Sequence, residues 1–152
     1  VLQPGHAAPD FTTRDQNHQE VTLSSYRGGR CVLLVFYPLA FSGICSGELA
    51  AIQAGLGDFQ NERVQVLTVS VDSHFAHKVW QQREGFGFPL LADFWPHGAI
   101  ASSYGVFDET RGVAGRGTFL VDRAGIIRYA ALTPIGEPRD PAAWREALAE
   151  HG

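Results

Sequence analysis

The sequence predicts an α/β fold: a central mixed β-sheet flanked by helices, with a β-hairpin at the N-terminus. Three observations carry this. Short Val- and Leu-rich runs alternate with amphipathic stretches in the first half of the chain, and strand–helix alternation implies parallel pairing. Two further runs close to the end are joined by Asp122-Arg123-Ala124-Gly125, a hairpin turn, so the sheet is mixed. At 152 residues, with no repeat, linker or low-complexity segment, the chain is expected to form a single domain over 1–152 and to bury most of its apolar surface in one core.

The elements follow in order. Residues 1–10 are rich in Pro and Gly and are expected to be an extended arm. Asp10–Thr13 and Glu20–Leu23 flank the polar turn Asp15-Gln16-Asn17-His18 and form the hairpin. Ser24–Gly28 is a turn or a single helical turn. Cys31-Val32-Leu33-Leu34-Val35-Phe36 is short, apolar and preceded by Gly28-Gly29, the pattern of a buried strand. After Cys45 the apolar residues Leu49, Ile52, Leu56 and Phe59 recur at helical spacing. Val64–Val71 is the clearest strand, and Asp72 or Ser73 caps a helix running to about Glu84. Phe88–Ala92 is a short strand, and Trp95–Ile100 opens a helix with Pro96 near its first position. Gly117–Val121 and Ile126–Ala130 form the closing hairpin. Asp140-Pro141 caps a last helix over about 141–150.

The chemistry concentrates at Tyr37-Pro38-Leu39-Ala40-Phe41-Ser42-Gly43-Ile44-Cys45. Pro38 ends the strand because it has no N–H for the ladder, so Cys45 falls in the first turn of the next helix. Unpaired N–H groups and the positive end of the helix dipole favour thiolate over thiol there. A free cysteine is otherwise usually a small buried hydrophobe, but a strand-to-helix corner is a usual seat for exposed functional groups.

Composition narrows the classes. The chain is 45% hydrophobic and 18% charged, with a net charge of −4 and no long run of like charge. Neither nucleic acid nor an anionic membrane is expected as a partner. The first residues lack the basic-then-apolar pattern of a signal peptide, and no stretch has the length of a membrane span. Two cysteines, both taken as reduced, fit a cytoplasmic setting.

Pro38-x-x-x-Ser42-x-x-Cys45 resembles the active-site motif of peroxiredoxins, and Arg116 sits where that family carries its catalytic arginine. The segments Phe41–Leu49, Asp93–Gly98 and Arg116–Phe119 are similar to the one-cysteine alkyl hydroperoxide reductase E group. The resemblance covers nearly the whole chain and implies a thioredoxin-like fold, thiol-dependent peroxidase activity and a role in antioxidant defence. Cys45 would then be the nucleophile, attacking one peroxide oxygen while the other leaves as alkoxide, with a sulfenic acid as product. Charge moves from sulfur to the leaving oxygen, so donors along that path stabilise the transition state. Arg116 would hold the thiolate and donate to sulfur and peroxide. Ser42 would meet both reacting atoms as well as cap the helix, and Pro38 would shield the pocket. Threonine is commoner in the family at position 42. Phe41, Gly43 and Ile44 are expected to contact substrate, with Glu48 near the arginine. A pocket around Phe41, Ile44 and Phe94 would favour long-chain hydroperoxides.

Cysteine counting decides the recycling. No cysteine follows Cys45, and Cys31 opens a buried strand, so Cys31 is expected to be a packed core thiol. A one-cysteine mechanism follows, reduced by an external thiol or a glutaredoxin-like protein, which the group resemblance narrows to mycothiol with mycoredoxin. A homodimer or higher homo-oligomer is expected from the family, and no cofactor or metal. His74 and His77 share a helical spacing but lack further ligands and are expected to be solvated. Gly112–Gly117 precedes a strand and does not join strand to helix, as a dinucleotide fingerprint must. Phe94, Trp95 and Tyr104 are expected to pack in the core, with a share in a dimer surface implied by the family. The rival functions are a thiol–disulfide oxidoreductase, disfavoured because positions 42 and 48 are Ser and Glu, and a non-catalytic peroxide sensor, which needs the same thiolate.

Overall fold

The computed structural model describes residues 1–152. A short ribbon of β1 (Thr12–Arg14) and β2 (Glu20–Thr22) forms the N-terminal hairpin, followed by a 3₁₀ turn over Leu23–Tyr26. The main strands are β3 (Cys31–Phe36), β4 (Val64–Ser70) and β5 (Leu90–Ala92). Between them run α1 (Gly43–Ala54), a single turn α2 (Leu56–Phe59) and α3 (His74–Glu84). Then come α4 (Ala99–Ser103), a two-residue ribbon of β6 (Phe107–Asp108) and β7 (Val113–Ala114), β8 (Arg116–Val121), β9 (Ile127–Thr133) and α5 (Pro141–His151). The five-stranded sheet has the order β5-β4-β3-β8-β9. β3, β4 and β5 are parallel, and β8 runs antiparallel to both β3 and β9. This is the mixed sheet of the thioredoxin-like fold.

β3 lies at the centre with helices on both faces, which is why it is apolar at every position. Cys31, Leu33 and Val35 point into one core with Leu49, Ile52, Trp80 and Trp144, drawn from α1, α3 and α5. Val32, Leu34 and Phe36 point into the other, with Ile100, Tyr104 and Phe119. Every side chain of β3 is thereby enclosed, and its end at Phe36 delivers the Pro38–Ser42 loop at the carboxyl edge of the parallel strands, where α/β folds build their sites.

Two helix boundaries differ from expectation. The helix expected to open at Trp95 and Pro96 starts at Ala99. Gly98 has φ +72, outside the helical region, and the Asp93 carboxylate takes the Ile100 and Ala101 N–H groups at 2.9 Å each. The α4 start is therefore capped from outside, by a residue upstream of Pro96. The helix after Cys45 is also interrupted: Gly55 ends α1 and the chain re-enters a separate turn at Leu56. β9 runs on to Thr133, three residues beyond the expected end, because Thr133 pairs with Arg116.

Candidate active site

Cys45 is the third residue of α1, and the Ser42 side chain caps the helix by accepting the Cys45 N–H at 3.2 Å. The cap and the cysteine are thus joined through one hydrogen bond. Cys45 is 2% exposed, and Pro38, in the loop before α1, is half-buried. Cys31, in the same core, is fully buried, its thiol donating to the His151 carbonyl at 3.5 Å. Burial pushes the Cys31 thiol up, against the nearby Arg123, and the thiol is packed in the core, as expected from the sequence. Both cysteines are free.

One turn beyond Cys45, Glu48 ties two buried guanidinium groups together. Arg116 Nε donates to Glu48 Oε1 at 2.8 Å and Arg116 Nη2 lies 2.6 Å from the same oxygen. Arg116 Nη1 donates to the Pro134 carbonyl at 2.6 Å. The other carboxylate oxygen of Glu48 takes Arg139 Nε. Arg139 also donates to the Phe36 and Gly117 carbonyls and to Thr118 Oγ1 (3.0 Å), which fixes it at the seam between β3 and β8. Burial pulls the Arg139 guanidinium down and Arg116 adds to this; Glu48 and the charge of Cys45 pull the other way. Two cations thus share one carboxylate one turn along α1 from Cys45.

Sequence reasoning missed Arg139. It lies in Gly136-Glu137-Pro138-Arg139-Asp140, a loop with no periodic pattern, and its partner Glu48 is 91 positions away. Its only local mark is the helix start that follows it.

A cavity of about 590 Å³ opens against the outer face of α1. Gly43, Ile44, Glu48, Phe59, Arg116 and Trp144 are among its lining, so it presents both apolar and charged side chains. The pocket expected around Phe41, Ile44 and Phe94 does not form as such. Phe41 packs on Trp80 at 6.0 Å between ring centres, under the Arg83 guanidinium. Phe94 lies elsewhere, with Phe75 and Trp95 around a second hollow. Tyr104 is buried, but Phe94 and Trp95 are exposed, so core packing holds for only one of these three aromatics. His77, expected to be solvated, is fully enclosed. α3 turns it inward onto Ser70 and Tyr37, polar partners that local spacing does not disclose. No group of three or more His, Cys, Asp or Glu side chains is arranged to hold a metal, and no helix is long and apolar enough to cross a membrane.

Known proteins share this fold and much of this sequence. A model of the AhpC/TSA family matches residues 4–130. The chain is similar to alkyl hydroperoxide reductase E of Mycobacterium tuberculosis, with 55% identity over 149 residues, 98% of this chain and 97% of that one. It is 38% identical to peroxiredoxin-2 of Mus musculus, over 92% of this chain and 75% of that one. Among solved structures, Enterococcus faecalis AhpC matches with a TM-score of 0.88 at 29% identity, covering 99% of this chain and 92% of that one. The reduced 2-Cys peroxiredoxin of Plasmodium vivax matches at 0.87 and 27% identity, covering 98% and 81%.

Proposed function

The chain belongs to the AhpC/TSA family and is a peroxiredoxin, a thiol-dependent hydroperoxide reductase; from that premise we propose a one-cysteine cycle with Cys45 as nucleophile. The observation that carries it is the seat of Cys45 in the capped first turn of α1, beside the Arg116–Glu48–Arg139 cluster. The Cys45 thiolate attacks one peroxide oxygen and the O–O bond breaks. The departing oxygen leaves as alkoxide or hydroxide and takes a proton, giving alcohol or water, and the cysteine becomes a sulfenic acid. Arg116 and Ser42 are the donors toward sulfur and peroxide, stabilising the charge as it moves. Pro38 limits water at the loop.

An external thiol then condenses with the sulfenic acid, releasing water and leaving a mixed disulfide. A second thiol or a glutaredoxin-like protein frees Cys45. The absence of any cysteine after Cys45 and the burial of Cys31 support an external reductant, and the similarity to alkyl hydroperoxide reductase E supports mycothiol with mycoredoxin. The substrates are hydrogen peroxide, organic hydroperoxides and peroxynitrite. Gly43, Ile44 and Glu48 line the cavity against α1, where the organic part of a hydroperoxide would lie. Phe41 acts from outside that cavity, through the loop. The protein works in the cytoplasm as one domain over 1–152, assembled as a homodimer or higher homo-oligomer.

The test is stoichiometric competition for peroxide against a heme peroxidase at neutral pH, with wild type, Cys45→Ser and Arg116→Ala side by side. Wild type should react orders of magnitude faster than a free thiol and both variants should lose that advantage. A wild-type rate no better than a free thiol would sink the proposal. Hydrogen peroxide reacting faster than a fatty-acid hydroperoxide would rule out the use of the cavity for the organic chain.

A further inference from the structure

Beneath the loop that leads to Cys45 lies a second group of polar side chains, separate from the Glu48 cluster. Tyr37, Ser70 and His77 are fully buried and the Asp72 side chain is 16% exposed. Asp72 Oδ2 accepts the Ala40 N–H at 2.8 Å and lies 2.6 Å from Ser70 Oγ. Ser70 Oγ lies 2.7 Å from His77 Nε2, and Tyr37 Oη is 3.2 Å from the same nitrogen. Polar groups this deep are retained where their hydrogen bonds are made.

The direction of donation is fixed from one end. A backbone N–H can only donate, so Ala40 gives to Asp72. An ionised carboxylate can only accept, so the Ser70 hydroxyl proton goes to Asp72 as well. Ser70 has no second proton, and its contact with His77 therefore uses an N–H on Nε2. Burial pulls His77 down to about 4, so the ring is neutral at neutral pH. The chain His77 to Ser70 to Asp72 ends on a main-chain N–H of the active-site loop.

What Asp72 grips is a constrained segment. Phe41, next after Ala40, has φ +66, a left-handed conformation that a bulky side chain adopts only when its surroundings hold it there. Trp80 and Arg83 of α3 hold its ring, and Asp72 holds the N–H of the residue before it. The next residue is Ser42, which caps α1 at Cys45. We propose that Asp72, oriented by Ser70 and His77, is a positioning residue for peroxide reduction, fixing the Pro38–Ser42 loop so that the Ser42 hydroxyl and the Cys45 sulfur meet the peroxide together. This rests on Cys45 being the nucleophile.

The test compares two reactions of the same thiolate in wild type, Asp72→Ala, Asp72→Asn and Ser70→Ala: reduction of hydrogen peroxide, and alkylation by iodoacetamide, which has no use for Ser42. In Asp72→Ala the peroxide rate constant should fall by about tenfold to a hundredfold, the scale of a misplaced reacting group, with alkylation little changed. Asp72→Asn keeps an oxygen for the Ala40 N–H and should recover most of the loss, and Ser70→Ala should lie between. A folded Asp72→Ala with the wild-type peroxide rate, or with both rates falling in parallel, would overturn the proposal. Should Asp72→Ala fail to fold, an unchanged ratio of the two rates in Ser70→Ala overturns it equally. A wild type no faster with peroxide than a free thiol would instead remove the nucleophile assignment, before any variant is compared.

Discussion

His77 carries a pH dependence whose sign follows from its burial. Its folded value lies near 4, below the ordinary 6.5, because enclosure disfavours the charged ring; Asp72 opposes this and His74 adds to it. Between those two values the unfolded chain binds a proton that the folded chain refuses, so stability falls as pH drops from about 6.5 to about 4 and is level below that. The loss is at most about 3 kcal/mol, at 1.36 kcal/mol per unit. Urea denaturation at pH 7 and pH 4.5 should show this loss in wild type and a flatter profile in His77→Gln; equal slopes for the two proteins would exclude His77 as the source. This residue also marks where sequence reading stops. The placement of Cys45 and Ser42 was legible because it is local: a cap three residues before a cysteine is written in the chain. His77 and Arg139 were not, since what gives them meaning is contact with residues far along the chain, Tyr37 for one and Glu48 for the other. The spacing of His74 and His77 described only the helix, and not which side of it was covered.

The junction of β3 and α1 is the element on which the proposed chemistry depends, and its parts serve two purposes in that proposal. Ser42 closes an N–H left open at the start of α1 and at the same time holds Cys45 in the first turn. Replacing a capping serine by alanine costs about 0.5–2 kcal/mol. Ser42→Ala should therefore lose about that much stability by chemical denaturation and also slow peroxide reduction, whereas Ser42→Thr should keep both. An alanine variant that is destabilised but reacts at the wild-type rate would leave Ser42 a cap and nothing more. This junction was legible from sequence because an all-apolar run, a proline and a helical repeat follow one another with little ambiguity. The start of α4 was not. Pro96 fits a first helical position by propensity, but the donors that need satisfying belong to Ile100 and Ala101 and are met by Asp93. A tertiary cap outweighed a local preference. The ribbon of β6 and β7 is two residues a side, too short to leave any period in the sequence.

At the scale of the whole molecule the order of elements and the mixed sheet were legible, since strand–helix alternation and the closing hairpin leave few topologies open. What covers the surface was not, because periodicity shows which residues avoid water and not what they meet. Phe75 is 73% exposed and Trp95 84%, with Val79 and Phe94 more than half exposed, and Phe75, Phe94 and Trp95 share the hollow beside Thr13 and Arg14. Large apolar side chains gathered in one place, and not scattered singly, mark an interaction surface. A stable interface takes about 800 Å² from each partner, roughly a tenth of the 7199 Å² this chain exposes. In a twofold dimer the same patch faces itself, so a charge placed there is met by its own copy and its repulsion counts at once on both sides. Sedimentation velocity should give wild type a mass twice the 16.6 kDa of the chain, and Trp95→Glu combined with Phe75→Glu should return it to the single-chain mass with the fold intact by circular dichroism. Wild type sedimenting at the single-chain mass would exclude the homodimer. A double variant that stays dimeric would move the interface to another face of the molecule.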